Sequence, residues 1–179
     1  MEAMISPARN SPQKLMQDDA AGGQRLKLDT HIPLILSHVA NMLTATGART
    51  FSELHGLVVT EWRLLAVLAS EPGVLPARVC QLTGINKSSV SRAAHSLQQR
   101  GLISVMPDPA DPRRGLLSLT KAGYALHDQA VQTSLARDEL LLTGVTAEER
   151  AMLVAVLRKM SDNVPLLVNY RPRRRKPKA

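Results

Sequence analysis

Apolar residues recur through most of the chain with the 3.6-residue period of a helix buried on one face. Ile32, Ile35, Leu36, Val39, Met42 and Leu43 form the first such stripe, with Pro33 tolerated in the opening turn. It predicts a helix from about Ile32 to near Gly47. Thr60 caps a second stripe of Trp62, Leu65, Ala66 and Leu68, which Glu71, Pro72 and Gly73 stop. Pro76 opens a short third helix carrying Val79, Cys80 and Leu82 on an apolar stripe, closed at Thr83 and Gly84. Asn86 is the N-cap of a fourth, whose Val90, Ala93, Ala94 and Leu97 share one face before Gly101 ends it. Two short apolar segments follow, residues 102–106 and 116–119. They predict a hairpin joined by a nine-residue tip, Pro107 to Gly115, stiffened by three prolines. Thr120 caps a fifth helix running to about Leu142. Thr146-Ala-Glu-Glu149 is a capping box for a sixth, which turns Met152, Leu153, Val156 and Met160 inward. The first 27 residues sustain no period and read as a mobile arm without assigned function.

The outer face of the fourth helix is short-chained and polar: Ser88, Ser91, Arg92, His95 and Gln99 lie together there. Alone, this could be a solvated surface. A helix, a short helix, a tight turn at Thr83 to Asn86, the polar-faced helix and then a hairpin together make the order of a winged helix-turn-helix. Such a recognition helix enters the major groove by its N-terminal residues, so Lys87, Ser88, Ser89, Ser91, Arg92 and His95 are the candidate DNA contacts. Arg92 is assigned a base edge and Lys87 a phosphate, while Arg100 pairs or snorkels at the helix end.

Charge location supports this reading more than its sum. The 179 residues carry a formal +8, yet six basic groups and no acidic ones lie in residues 171–179. Residues 84–121 hold six basic groups against two acidic ones, and everything outside these two segments is net negative. That is the distribution of a phosphate-facing patch. Scarce aromatics, 2% of the chain, argue against stacking on single strands and leave duplex binding untouched. The single cysteine, Cys80, has no disulfide partner within the chain, no signal sequence is recognisable and no apolar run reaches membrane-spanning length. The expectation is a cytoplasmic, nucleoid-associated protein with no membrane partner. His31, His38, His55, His95 and His127 fall into no ligand spacing, and no nucleophile with its base or paired carboxylates is evident. No metal, cofactor or catalytic residue is expected.

From about Ile32 to Met160 the chain resembles the MarR (multiple antibiotic resistance) transcriptional regulators. The resemblance rests on Thr60-Glu-Trp-Arg-Leu-Leu-Ala-Val-Leu, Asn86-Lys-Ser-Ser-Val-Ser-Arg, Gln99-Arg-Gly-Leu-Ile and Asp108-Pro-Ala-Asp-Pro-Arg-Arg-Gly, with Leu117-Ser-Leu-Thr-Lys-Ala-Gly after it. It implies a mainly α fold: a winged helix-turn-helix plus a helical dimerisation region, six helices and a two-stranded β wing. The divisions are an arm at 1–28, a dimerisation helix at 29–56, the winged domain at 57–120, two dimerisation helices at 121–168 and a basic tail at 169–179. In the family an Asp-x-Arg wing element sends its arginine into the minor groove, and Asp111-Pro112-Arg113 matches it. The proline replaces a commoner charged residue, which leaves open whether Arg113 or Arg114 inserts.

The resemblance also implies a homodimer reading a pseudo-palindrome of double-stranded DNA, with half-sites roughly 10 bp apart. It implies a small-molecule effector, aromatic or phenolic, free or as a coenzyme-A thioester. His38, His55, Trp62 and Arg63 are the candidate effector contacts, against structural roles as core ring for Trp62 and ion-pair donor for Arg63. The expected function is a ligand-responsive repressor released from its operator by that effector. The alternatives are a constitutive or architectural DNA-binding protein, its basic tail contacting phosphates, and a redox sensor acting through Cys80. Cys80 sits among apolar neighbours, where a small buried hydrophobe is the usual role.

Overall fold

A computed structural model of the chain describes residues 15–18, 23–168 and 170–171. The basic tail assigned to 169–179 lies almost wholly outside these, with only Tyr170 and Arg171 described, as does most of the arm. The described part of the arm holds a small antiparallel pair, β1 (Met16–Asp18) and β2 (Gln24–Leu26), where the sequence offers no periodic signal. Then come α1 (Ile32–His55), α2 (Val59–Ser70), α3 (Pro76–Thr83), α4 (Lys87–Gln99), β3 (Ile103–Asp108), β4 (Asp111–Leu119), α5 (Lys121–Leu141) and α6 (Ala147–Val168). The chain divides into two compact units, one reaching Val131 and one beginning at Gln132.

In the first unit, one core joins the end of α1 to the winged domain. Leu57, Leu64, Leu65, Leu68, Val79, Val90 and Leu97 are wholly buried, with Leu102, Ile103, Leu117 and Leu119 of the hairpin region packed on them. Burying such side chains is the main favourable term in the fold. The helix-turn-helix corner follows from local chemistry. Gly84 takes the left-handed conformation at φ 68° and its N–H bonds the Cys80 carbonyl. Two residues on, the Asn86 side chain accepts the Ser89 N–H at 2.9 Å, the expected cap of α4.

Several sequence expectations need correction. Helix α1 does not end near Gly47. It continues to His55, because Gly47 and Phe51, one turn apart, are both buried and the burial outweighs glycine's poor helix propensity. A Schellman pair closes it at Gly56, φ 62°, where the Gly56 and Leu57 N–H groups reach Ser52 and Phe51 carbonyls. Thr60 does not cap α2. The helix starts at Val59, and the Glu61 carboxylate accepts the Val58 N–H at 3.0 Å instead. On α3, Val79 is buried and Cys80 half-buried, but Leu82 is exposed.

The nine-residue wing tip is also shorter than expected. Strands β3 and β4 run into it from both sides and turn through Pro109 and Ala110, with Asp108 Oδ1 accepting the Ala110 N–H. Both β3 and β4 tolerate proline because each has an open edge where no N–H is needed. On the other side of β4, Val74 pairs with Leu117, so the loop between α2 and α3 adds a bridge to the hairpin. Thr120 caps α5 by accepting the Gly123 N–H at 3.1 Å.

In the second unit, Thr146 and Glu149 form the reciprocal capping box: Glu149 accepts the Thr146 N–H and Thr146 Oγ1 the Glu149 N–H. Arg150 pairs with Asp138 at 2.7 Å. The stripe expected to face inward from α6 is not buried within the chain: Met152, Leu153 and Val156 are exposed and Met160 half-buried.

Candidate nucleic-acid interface

Helix α4 presents two unlike faces. Val90, Ala93 and Leu97 fix one of them in the core, while Lys87, Ser88, Ser91, Arg92 and His95 are all exposed on the rest. Ser89, expected with them, is half-buried at the margin. Its hydroxyl lies 3.3 Å from Arg92 Nη2, and the Ser88 hydroxyl donates to Asn86 Oδ1 at 2.7 Å. The contact with Ser89 engages a single terminal nitrogen of the exposed Arg92 guanidinium, on the second turn of the helix.

The wing is built on an irregular ladder. Pro107 pairs with Gly115 and Asp108 with Asp111, so Pro112, Arg113 and Arg114 stand between paired positions with no counterpart on β3. A bulge of this kind re-aims side chains away from the sheet. Asp111 organises it: Oδ1 accepts the Arg113 N–H at 3.2 Å and Oδ2 pairs with Arg114 Nε at 3.0 Å. Among the described residues, the exposed Arg113 guanidinium has no ion pair. The aspartate thus holds the backbone of one arginine and the side chain of the next.

The four candidate effector contacts are not gathered around one cavity. His38 lines an apolar recess of about 330 Å³ with Leu28, Leu34 and Ile35. Trp62 is buried and stacked on Phe51, ring centroids 5.1 Å apart and planes 12° from parallel. His127 also stacks on Trp62, at 5.9 Å, and His55 tilts against Phe51 at 6.0 Å. Arg63 is exposed, 3.4 Å from the Thr44 hydroxyl of α1. Phe51 and His127 are therefore the residues that sequence reasoning left out of this cluster. Phe51 could have been found by extending the α1 period past Gly47, whereas His127 carries no signal of its own.

Among the described residues no group of three or more His, Cys, Asp and Glu stands close enough to hold a metal ion, and no helix is long and apolar enough to cross a membrane.

Residues 55–114 match the MarR family. The HTH-type transcriptional repressor NicR of Pseudomonas putida is 30% identical over 87 residues, which cover 49% of this chain and 55% of NicR, little more than half of that relative's length. A MarR/EmrR family transcriptional regulator from Acinetobacter sp. ADP1 superposes with a TM-score of 0.73 at 26% identity, over 78% of this chain and 98% of that one. Bordetella bronchiseptica BpsR superposes with a TM-score of 0.67 at 27% identity, over 75% and 95%; its structure addresses regulation of DNA binding by 6-hydroxynicotinic acid.

Proposed function

We propose that the chain, whose residues 55–114 match the MarR family, is a transcriptional repressor that binds a pseudo-palindromic operator as a homodimer and releases it on binding a small aromatic acid. The observation that carries the reading is the outer face of α4, polar and exposed while its inner face is fixed in the core. Lys87 and Ser88 are placed for phosphates, and Ser91, Arg92 and His95 for base edges. In the wing, Arg113 is the minor-groove residue, because Asp111 engages the guanidinium of Arg114 and leaves that of Arg113 outward. A narrow minor groove concentrates the negative potential that such a side chain reaches.

The dimer is supported by uncovered apolar surface in each unit. Ile32, Ile35, Leu36, Val39, Met42 and Leu43 of α1 are between 36% and 53% exposed. On α6, Met152, Leu153, Val156 and Leu157 are similarly uncovered. Apolar stripes of this length on lone helices are the mark of an interaction surface. The effector class is supported by the family and by the small aromatic acid named for BpsR. The aromatic cluster of Phe51, Trp62 and His127, with His55 against Phe51, supplies rings, and Arg63 on α2 a cation, suited to such a ligand, while His38 lines a separate apolar recess on α1.

Selection from a pool of randomised duplexes, followed by binding measurements with Arg92→Ala, tests the reading. The variant should lose about 1 to 3 kcal/mol of preference for the selected duplex while its affinity for random DNA barely changes. An unchanged preference would remove Arg92 from base recognition. Release of the selected duplex by 6-hydroxynicotinic acid or a related aromatic acid tests the effector.

A further inference from the structure

Behind the recognition face, α4 is held by a buried carboxylate. Glu61 is only 5% exposed, and a buried acidic side chain persists only where its oxygens are satisfied. Oε1 accepts the Ser96 hydroxyl at 2.6 Å, while Oε2 accepts the Val58 N–H at 3.0 Å and faces Arg100 Nη1 at 3.4 Å. Ser96 is on α4, Arg100 caps its C-terminal end one turn later, and Val58 is the residue before α2. One side chain therefore ties the start of α2 to the C-terminal half of α4, by charge-assisted bonds stronger than neutral ones.

Next to this tie, packing is loose. A cavity of about 320 Å³ separates the first turn of α2 from α4, which lines it with small Ser89, Ala93 and Ser96 and with Arg92. Val90 and Leu97 anchor α4 in the core, but side chains as short as these add little steric hold where they border open space. On this flank the group that adds to the hold on the rotation and axial register of α4 is polar, and it is Glu61. We propose that Glu61 is a positioning residue for DNA recognition: it sets the pose of α4, and through it the aim of Arg92, without touching DNA itself. The proposal rests on the DNA-binding reading above.

A merely structural carboxylate would affect melting and weaken all DNA alike. A positioning carboxylate affects discrimination. The ratio of affinities for the selected duplex and for a random duplex of equal length is therefore measured, by fluorescence anisotropy, for Glu61→Gln, Ser96→Ala and Ser96→Thr. Glu61→Gln keeps an oxygen for the Val58 N–H but removes the charge that faces Arg100, and Ser96→Ala deletes the shared hydroxyl. Each should lower the ratio by about tenfold, through the selected duplex alone. Ser96→Thr keeps the hydroxyl, the adjoining cavity has room for its methyl group, and the ratio should stay at the wild-type value. Should Glu61→Gln prove unfolded by circular dichroism, the serine pair decides the matter. An unchanged ratio in Ser96→Ala, an equal loss on both duplexes, or a Ser96→Thr that falls with Ser96→Ala overturns the proposal. A wild-type chain that selects no duplex would instead overturn the DNA-binding reading, and the proposal with it.

Discussion

At the scale of single residues, the polar side chains of this chain act mainly on the ends of helices. Arg78 of α3 reaches back to Glu71 at the end of α2, Nε and Nη2 each 2.9 Å from a carboxylate oxygen, and Nη1 also meets Gln81. The hydrogen bond from Arg78 holds the Glu71 carboxyl below its ordinary value of 4.5; partial burial opposes the shift and the charge of Arg78 adds to it. A carboxyl lowered in the folded state contributes stability that is complete above its unfolded value and fades as pH falls through the folded one. Arg78→Gln should therefore melt below wild type at neutral pH, and the gap should close as pH falls below 4.5. A gap independent of pH, followed by differential scanning fluorimetry, would show that the arginine stabilises by packing alone. Caps were the residues most legible in sequence: Asn86, Thr120 and the Thr146-Glu149 pair each bond as their positions require. Thr60 was misleading because a glutamate one residue later does the capping, and Ser and Thr have no monopoly on accepting a terminal N–H.

At the scale of elements, the wing shows best what pattern alone misses. Three prolines and two aspartates suggest a loop, yet the strands extend because Pro109 sits in the turn, Pro107 and Pro112 are tolerated on the two strands, and a bulge absorbs the extra residues. The bulge gives two adjacent arginines different contacts with Asp111, one through its backbone N–H and one through its guanidinium. Arg113→Ala should weaken binding to the selected duplex most where its flanks are A·T-rich and the groove is narrow, whereas Arg114→Ala should cost less and show no dependence on the flanks. Titrations against duplexes with A·T-rich and G·C-rich flanks check this. Equal losses for the two arginines would mean that Asp111 does not discriminate between them. Helix α1 gives the complementary lesson: the apolar stripe alone ends the helix near Gly47, but a buried face continuing to Phe51 carries it on through that glycine.

At the scale of the whole molecule, what the sequence conveyed well was order: helix, helix, turn, helix, hairpin. It conveyed poorly which apolar stripes close within one chain, since periodicity identifies a face to be covered and not the partner that covers it. The stripes of α2, α3 and α4 meet in one core, while those of α1 and α6 remain open. The candidate effector residues were harder still, because Trp62 is used in stacking with Phe51 and His127, a contact that depends on chain segments far apart in sequence. If a second copy covers α1, Val39→Lys should shift sedimentation at micromolar concentration from dimer toward monomer and reduce operator affinity with it. A variant that stays dimeric would place the interface elsewhere.

The central claim is that α4 and the wing read one duplex sequence through two copies of the chain. Hydroxyl-radical footprinting of the full-length protein on the selected duplex, embedded in a longer random fragment, tests it most directly. The account predicts protection confined to one site, in two symmetric blocks about one helical turn apart, with minor-groove protection at the outer flanks that Arg113→Ala removes. Protection spread evenly along the fragment, with no symmetric centre, would contradict it and identify instead a protein that coats duplex DNA without reading it.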